Sequence, residues 1–96
     1  MLMKDKKGLI MGVANEKSIA WGIAKSLHNH GATLCFTYQG EALKKRVVPL
    51  AKSINSNFTI PCDVSDTNSI KEVFNAIKNE WGSLDFIVHA IGFSDK

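Results

Sequence analysis

Four short apolar runs punctuate the chain, at residues 8–11, 33–38, 57–62 and 85–90. Each is nearly continuous rather than alternating, the pattern of strands covered on both faces. Between them apolar residues recur every three to four positions, the period of helices that bury one side. The first helical pattern runs from residue 18 to about 30, with Ile19, Ile23 and Leu27 predicted on its buried face and Gly31 as its stop. The second runs from about 41 to 53, with Leu43, Val47, Leu50 and Ile54 as its stripe. Pro49 is predicted to kink or interrupt it, because proline lacks the N–H that a helix interior needs. The third carries Ile70, Val73, Phe74, Ile77 and Trp81 on one face. Ser65, Asp66 or Thr67 can cap its start, and Gly82 ends it.

The order is therefore β-α-β-α-β-α-β, which predicts an α/β fold with a parallel sheet and right-handed crossovers. Those crossovers place the first two helices on one face of the sheet. The step from strand 3 back to strand 4 places the third helix on the other. In such sheets ligands bind beyond the carboxyl ends of the strands. Here those ends are Met11-Gly12-Val13-Ala14, Tyr38-Gln39-Gly40, Cys62-Asp63-Val64 and His89-Ala90-Ile91-Gly92-Phe93. Small and polar residues gather at this one edge, which favours a nucleotide site.

Composition narrows the picture further. A chain of 96 residues, 45% apolar and 22% charged, suits one small domain. No repeat, low-complexity tract or linker divides it. No apolar stretch is long enough to span a bilayer, and the first residues lack a signal-peptide apolar region, so a cytoplasmic protein is expected. The net charge of +3 comes largely from Lys4, Lys6, Lys7 and the Lys44-Lys45-Arg46 run. Without interleaved aromatics or one basic helix face, it reads as solvated surface rather than a nucleic-acid contact. Cys35 and Cys62 lie inside strand patterns and are expected to be reduced, buried thiols, with no metal site near them. His28 and His30 are expected to be exposed at a helix end, and His89 to pack or hydrogen-bond within its strand.

Several strand-end residues carry candidate chemistry. Gly12 permits a tight turn and close backbone approach. Ser18 stands at a helix start, beside backbone N–H groups that suit a pyrophosphate. The pair reads equally well as a turn glycine and an N-cap serine. Asp63 could accept from an adenine amino group or simply hold a turn. Gln39 stands where an acid often holds a ribose. Gly92 would let a nicotinamide ribose pass close to strand 4, or is a plain loop glycine. No Ser-His-Asp set, paired carboxylates or other catalytic constellation is visible. A signalling receiver domain, which has the same strand-helix rhythm, is excluded because Met11 and Gly12 stand where its acidic pair would be.

The segments GVANEKSIAWGIA, FTYQGEALKKRV, CDV and HAIGF, in this order and spacing, resemble bacterial NADH-dependent enoyl-[acyl-carrier-protein] reductases. These are a divergent branch of the short-chain dehydrogenase/reductases, and the resemblance runs from Gly8 to Phe93. It implies the N-terminal part of a single Rossmann-type dinucleotide-binding domain over residues 1–96: four strands and three helices of a doubly wound fold. The branch replaces G-x-G-x-x-G by G-x-x-x-x-x-S-[IL]-[AG]. The resemblance assigns Gly12, Ala14, Ser18 and Ile19 to the pyrophosphate and nearby ribose. It assigns Gln39 to the adenosine, Asp63 and Val64 to the adenine, and Ala90, Ile91 and Gly92 to the nicotinamide side. Ser94 falls where the family begins to meet its acyl substrate. Met11 stands where threonine is usual and Ala90 where serine is common, departures that leave backbone contacts intact.

What the resemblance implies for function is NADH-dependent reduction of trans-2-enoyl thioesters carried on acyl carrier protein, in type II fatty-acid synthesis, by a cytoplasmic homotetramer. NADH is expected over NADPH because Thr37-Tyr38-Gln39-Gly40 offers no cation for a 2′-phosphate. The family's catalytic tyrosine and lysine follow a Y-x-x-x-x-x-x-K pattern beyond strand 4. Tyr38, on strand 2, is the one tyrosine here, so no catalytic residue is assigned. A non-catalytic NAD(P)-binding regulator of the same fold is the other reading. Residues 1–96 alone are expected not to fold stably, with one sheet face covered by a single helix.

Overall fold

The computed structural model describes residues 2–89. Its elements follow the predicted order: β1 (Lys7–Met11), α1 (Ile19–Asn29), β2 (Thr33–Tyr38), α2 (Glu41–Ser53), β3 (Thr59–Pro61), α3 (Thr67–Trp81) and β4 (Phe86–His89). The four strands form one parallel sheet in the order β3-β2-β1-β4. The registers pair Leu9 with Cys35 on one side and with Ile87 on the other.

Side chains alternate across the sheet, so each strand feeds two cores. Ile10, Leu34 and Phe36 point to the layer that contains Ala20, Trp21 and Ala24 of α1 and Val47 and Ala51 of α2. Leu9, Met11, Cys35 and Cys62 point to the layer of Val73 and Ile77 of α3. The predicted division of helices between the faces therefore holds. Burial pushes the Cys35 thiol up to about 12, so it stays neutral and packs as a small hydrophobe. Ser56, buried beneath β2, donates from Oγ to the Leu34 carbonyl at 2.6 Å. At the base of the sheet Asp85 precedes β4 instead of opening it. Its N–H donates to the Lys7 carbonyl at 2.8 Å, and its Oδ2 accepts from the Lys7 N–H at 2.7 Å. That exchange fixes where β4 meets β1.

Several expectations are corrected. Helix α1 does not bury Ile19 and Ile23, which are 77% and 38% exposed; it buries Ala20, Trp21 and Ala24. The two alanines let the helix lie close to the sheet, and Trp21 packs on Phe36 with ring centroids 6.0 Å apart. Pro49 does not interrupt α2. It and Lys45, whose carbonyl loses its helical donor there, are both exposed, so water can serve that carbonyl while Val47 and Ala51 anchor the helix. Strand β3 is shorter than residues 57–62, although pairing continues beyond it where the Cys62 N–H donates to the Tyr38 carbonyl at 2.8 Å. Phe74 is 40% exposed rather than buried with Val73. His89 is exposed, because it lies at the end of β4 beyond the reach of α3.

The helix ends follow their local chemistry. Asp66 caps α3 by accepting from the Asn68 N–H at 2.9 Å, which selects it from the three candidates. Gly82 ends the helix in the left-handed region at φ 78°. His30 is the C-cap of α1, and Gly31 follows at φ 99°. Among the described residues no helix is long and apolar enough to cross a membrane.

Candidate functional site

Where β1, β2 and β3 end, the chain leaves the sheet in three loops that enclose a cavity of about 290 Å³. The β1 loop contributes Met11, Gly12, Val13 and Ala14. The β2 end contributes Thr37, Tyr38 and Gln39, with Leu43 from the first turn of α2. Cys62 and Val64 close the β3 side, and His89 the β4 side. The wall is largely apolar with a few polar groups, the usual character of a small-molecule site. Gly12 has φ 100°, a conformation that side chains rarely adopt, so the turn out of β1 depends on glycine.

The loop from Gly12 leads directly to the start of α1. Ser18 occupies the N-cap position, but its side chain does not cap the helix. Its Oγ donates to the Asn15 carbonyl at 2.8 Å and accepts from the Ala14 N–H at 3.4 Å. The hydroxyl thus folds the loop back on itself and leaves the helix N-terminus uncapped by it. No acidic side chain lies in the first turn of α1, whereas α2 carries Glu41 there. A helix N-terminus with neither cap nor carboxylate favours an incoming anion.

Of the residues singled out from the sequence, Gly12, Ala14, Gln39 and Val64 meet in the cavity wall. Ser18 lies behind that wall, joined to it through Ala14. Ile19 is exposed on the outer side of the α1 N-terminus. Asp63 is not in the wall. Its Oδ1 accepts from the Ser65 hydroxyl at 2.6 Å and the Ser65 N–H at 2.9 Å, which makes it a turn residue whatever else it contacts. The same bonds, the hydroxyl's first, hold its carboxyl below the usual carboxylate range. Ala90, Ile91, Gly92 and Ser94 lie outside the described residues. The cavity also draws in Thr37, Leu43 and Cys62, which the sequence had not marked as site residues. Alternation along β2 and the start of the α2 stripe were the available signals for the first two. Among the described residues no cluster of three His, Cys, Asp or Glu could hold a metal ion.

A protein-family model described as enoyl-(acyl carrier protein) reductase matches residues 12–96. The chain belongs to this family. It is 68% identical over 95 residues to enoyl-[acyl-carrier-protein] reductase [NADH] 2 of Rhizobium meliloti (strain 1021), covering 99% of this chain and 35% of that protein. The crystal structure of FabI from Candidatus Liberibacter asiaticus matches with a TM-score of 0.94 at 58% identity, over 99% of this chain and 37% of that one. The enoyl-(acyl-carrier-protein) reductase of Anaplasma phagocytophilum, crystallised in complex with NAD, matches with a TM-score of 0.93 at 57% identity. It is covered over 37% of its length by the whole of this chain. The present chain therefore spans about a third of these relatives, and the sheet β3-β2-β1-β4 is the N-terminal Rossmann part of the reductase fold.

Proposed function

We propose that this chain supplies the NADH-binding part of an enoyl-[acyl-carrier-protein] reductase that reduces trans-2-enoyl thioesters in type II fatty-acid synthesis. The observation that carries the proposal is the cavity at the strand ends beside an uncapped α1 N-terminus. The volume of the cavity suits one half of a dinucleotide, and the α1 N-terminus next to it suits the pyrophosphate. Gly12 and Ala14 form the pyrophosphate wall, with Ser18 holding the loop in shape and Ile19 presenting its N–H at the helix start. Gln39 encloses the adenosine from the β2 tip, while Val64 and Asp63 bracket the adenine from β3. Ala90, Ile91 and Gly92 line the nicotinamide side, and Ser94 begins the acyl-substrate contact. When bound, NADH supplies the hydride that adds to the β-carbon of the enoyl thioester. The residues of this chain bind and orient; none is assigned an acid, base or nucleophile. The working enzyme is a cytoplasmic homotetramer that takes its substrate from acyl carrier protein.

Preference for NADH over NADPH belongs to the same proposal. A 2′-phosphate carries close to two negative charges and needs cations at the β2 tip. There Gln39 and Gly40 offer none, and Lys44, Lys45 and Arg46 lie about one turn into α2. The deciding test is Gly12→Val in the intact protein. A β-branched residue at φ 100° is strained and fills the pyrophosphate space, so NADH binding is expected to vanish in titration calorimetry. A folded variant that binds NADH normally would overturn the site assignment. Asp63→Ala is expected to weaken NADH about tenfold or more, the loss of a charge-assisted hydrogen bond to a ligand. With a crotonyl thioester, kcat/KM for NADPH equal to that for NADH would mean that Arg46 reaches the ribose.

A further inference from the structure

The cavity wall is mostly apolar, so recognition there falls to few polar groups. Two polar side chains are buried among the described residues, Ser56 at 7% exposure and Thr37 at 5%. The Ser56 hydroxyl is committed to the fold through the Leu34 carbonyl. Thr37 lies in the cavity wall, and its hydroxyl has no hydrogen-bond partner among the described residues. Among those residues no side-chain oxygen or nitrogen sealed from solvent lacks a partner. Thr37 lines the cavity, so its side chain borders space that a ligand can fill. A hydroxyl so nearly withdrawn from water costs stability unless something in the cavity replaces the lost bond.

Its place along β2 selects the partner. Thr37 is two residues beyond Cys35, so it shares the face toward α3 with Cys35, Met11 and Cys62. It precedes Gln39 by two, next to the strand tip that holds the adenosine ribose in dinucleotide-binding folds. We propose that Thr37 is a further cofactor-binding residue, its hydroxyl hydrogen-bonding the adenosine end of the dinucleotide. This rests on the NADH reading above and adds to it a side chain to which that reading gives no contact. A valine at this position keeps the shape of the wall and removes the bond.

The test measures apo thermal stability and dissociation constants for NADH and for ADP, a probe of the adenosine end alone, in the intact protein. Thr37→Val is expected to weaken both ligands about five- to tenfold, the worth of one neutral hydrogen bond, with the apo transition unchanged. Thr37→Ser, which keeps the hydroxyl, is expected to bind as wild type. Unchanged binding of both ligands by Thr37→Val, or a loss confined to NADH, would overturn the assignment. Should Thr37→Val fail to fold, Thr37→Ser and Thr37→Ala decide the matter. A loss in Ala alone supports the hydroxyl contact, and equal binding by the two overturns it. A wild-type protein that binds neither NADH nor ADP would overturn the cofactor reading itself, and Thr37 with it.

Discussion

On the α1/α2 side of the sheet, Ile10, Leu34 and Phe36 are at most 4% exposed beneath two helices, whereas on the α3 side Phe74 and Ile87 remain 40% and 49% exposed. The same strands feed both layers, so composition is not the cause. Width is. Four strands spaced ~4.8 Å apart make a face close to 20 Å across, and one helix is ~10 Å in diameter. Two helices cover such a face and one covers half of it. Helix α3 seals Leu9 and Cys35 over the central strands and leaves Ile87 of β4 open. The cavity sits at the strand ends, where both layers stop.

The largest expected effect of this imbalance concerns residues 1–96 by themselves. With half a face uncovered, each large apolar side chain left in water forgoes ~1.5–3 kcal/mol, against a usual folding margin of ~5–15 kcal/mol. No cooperative thermal transition is expected from the purified, monomeric 96-residue chain. A sharp one would show that the α1/α2 side suffices. Next comes Phe36→Ala in the intact protein. Phe36 is fully buried against Trp21, and its truncation is expected to cost ~3–5 kcal/mol in denaturant unfolding. Phe74→Ala, at the exposure seen here, should cost well under half as much. A comparable loss would mean that the α3 side is covered in the intact protein.

Two glycines sharpen the same contrast at smaller scale. Gly8 pairs with Phe86 in register, and an added Cβ would run into the Phe86 ring on the α1/α2 side. Gly8→Ala is expected to destabilise by ~1–3 kcal/mol through overpacking, measured as a lower unfolding midpoint. An unchanged midpoint would mean that the ring swings aside freely. Gly22, in α1, has nothing within 4 Å of such a Cβ. Gly22→Ala is expected to stabilise by ~0.5–1 kcal/mol, because alanine loses less backbone entropy in a helix. A drop in stability would reveal a close neighbour on that outer surface.

Much of the molecule was legible before its structure. Apolar runs marked all four strands, glycine marked the ends of α1 and α3, and the polar trio Ser65, Asp66 and Thr67 marked the start of α3. The assignment of α1 and α2 to one face and α3 to the other followed from crossover handedness together with the reversal of direction between strand 3 and strand 4. Gly12 and Gln39 were found by asking where strands end, because ligands in parallel sheets collect there, whereas Ala14 and Val64, at the same ends, were assigned by the family resemblance. The faces of α1 were misread for a physical reason. Hydropathy weights Ile19 and Ile23 above Ala20 and Ala24, yet small residues are what permit close helix-sheet approach.

The sequence by itself determined the order of elements, the parallel sheet and the edge at which a ligand would bind, because these depend on periodicity and chain direction. Only the tertiary structure decided which side of α1 is buried, that Ser18 braces its loop instead of capping its helix, and that Thr37 lines the cavity. Those outcomes depend on distances between elements far apart in the chain, set by how two helices and one helix divide a four-strand sheet.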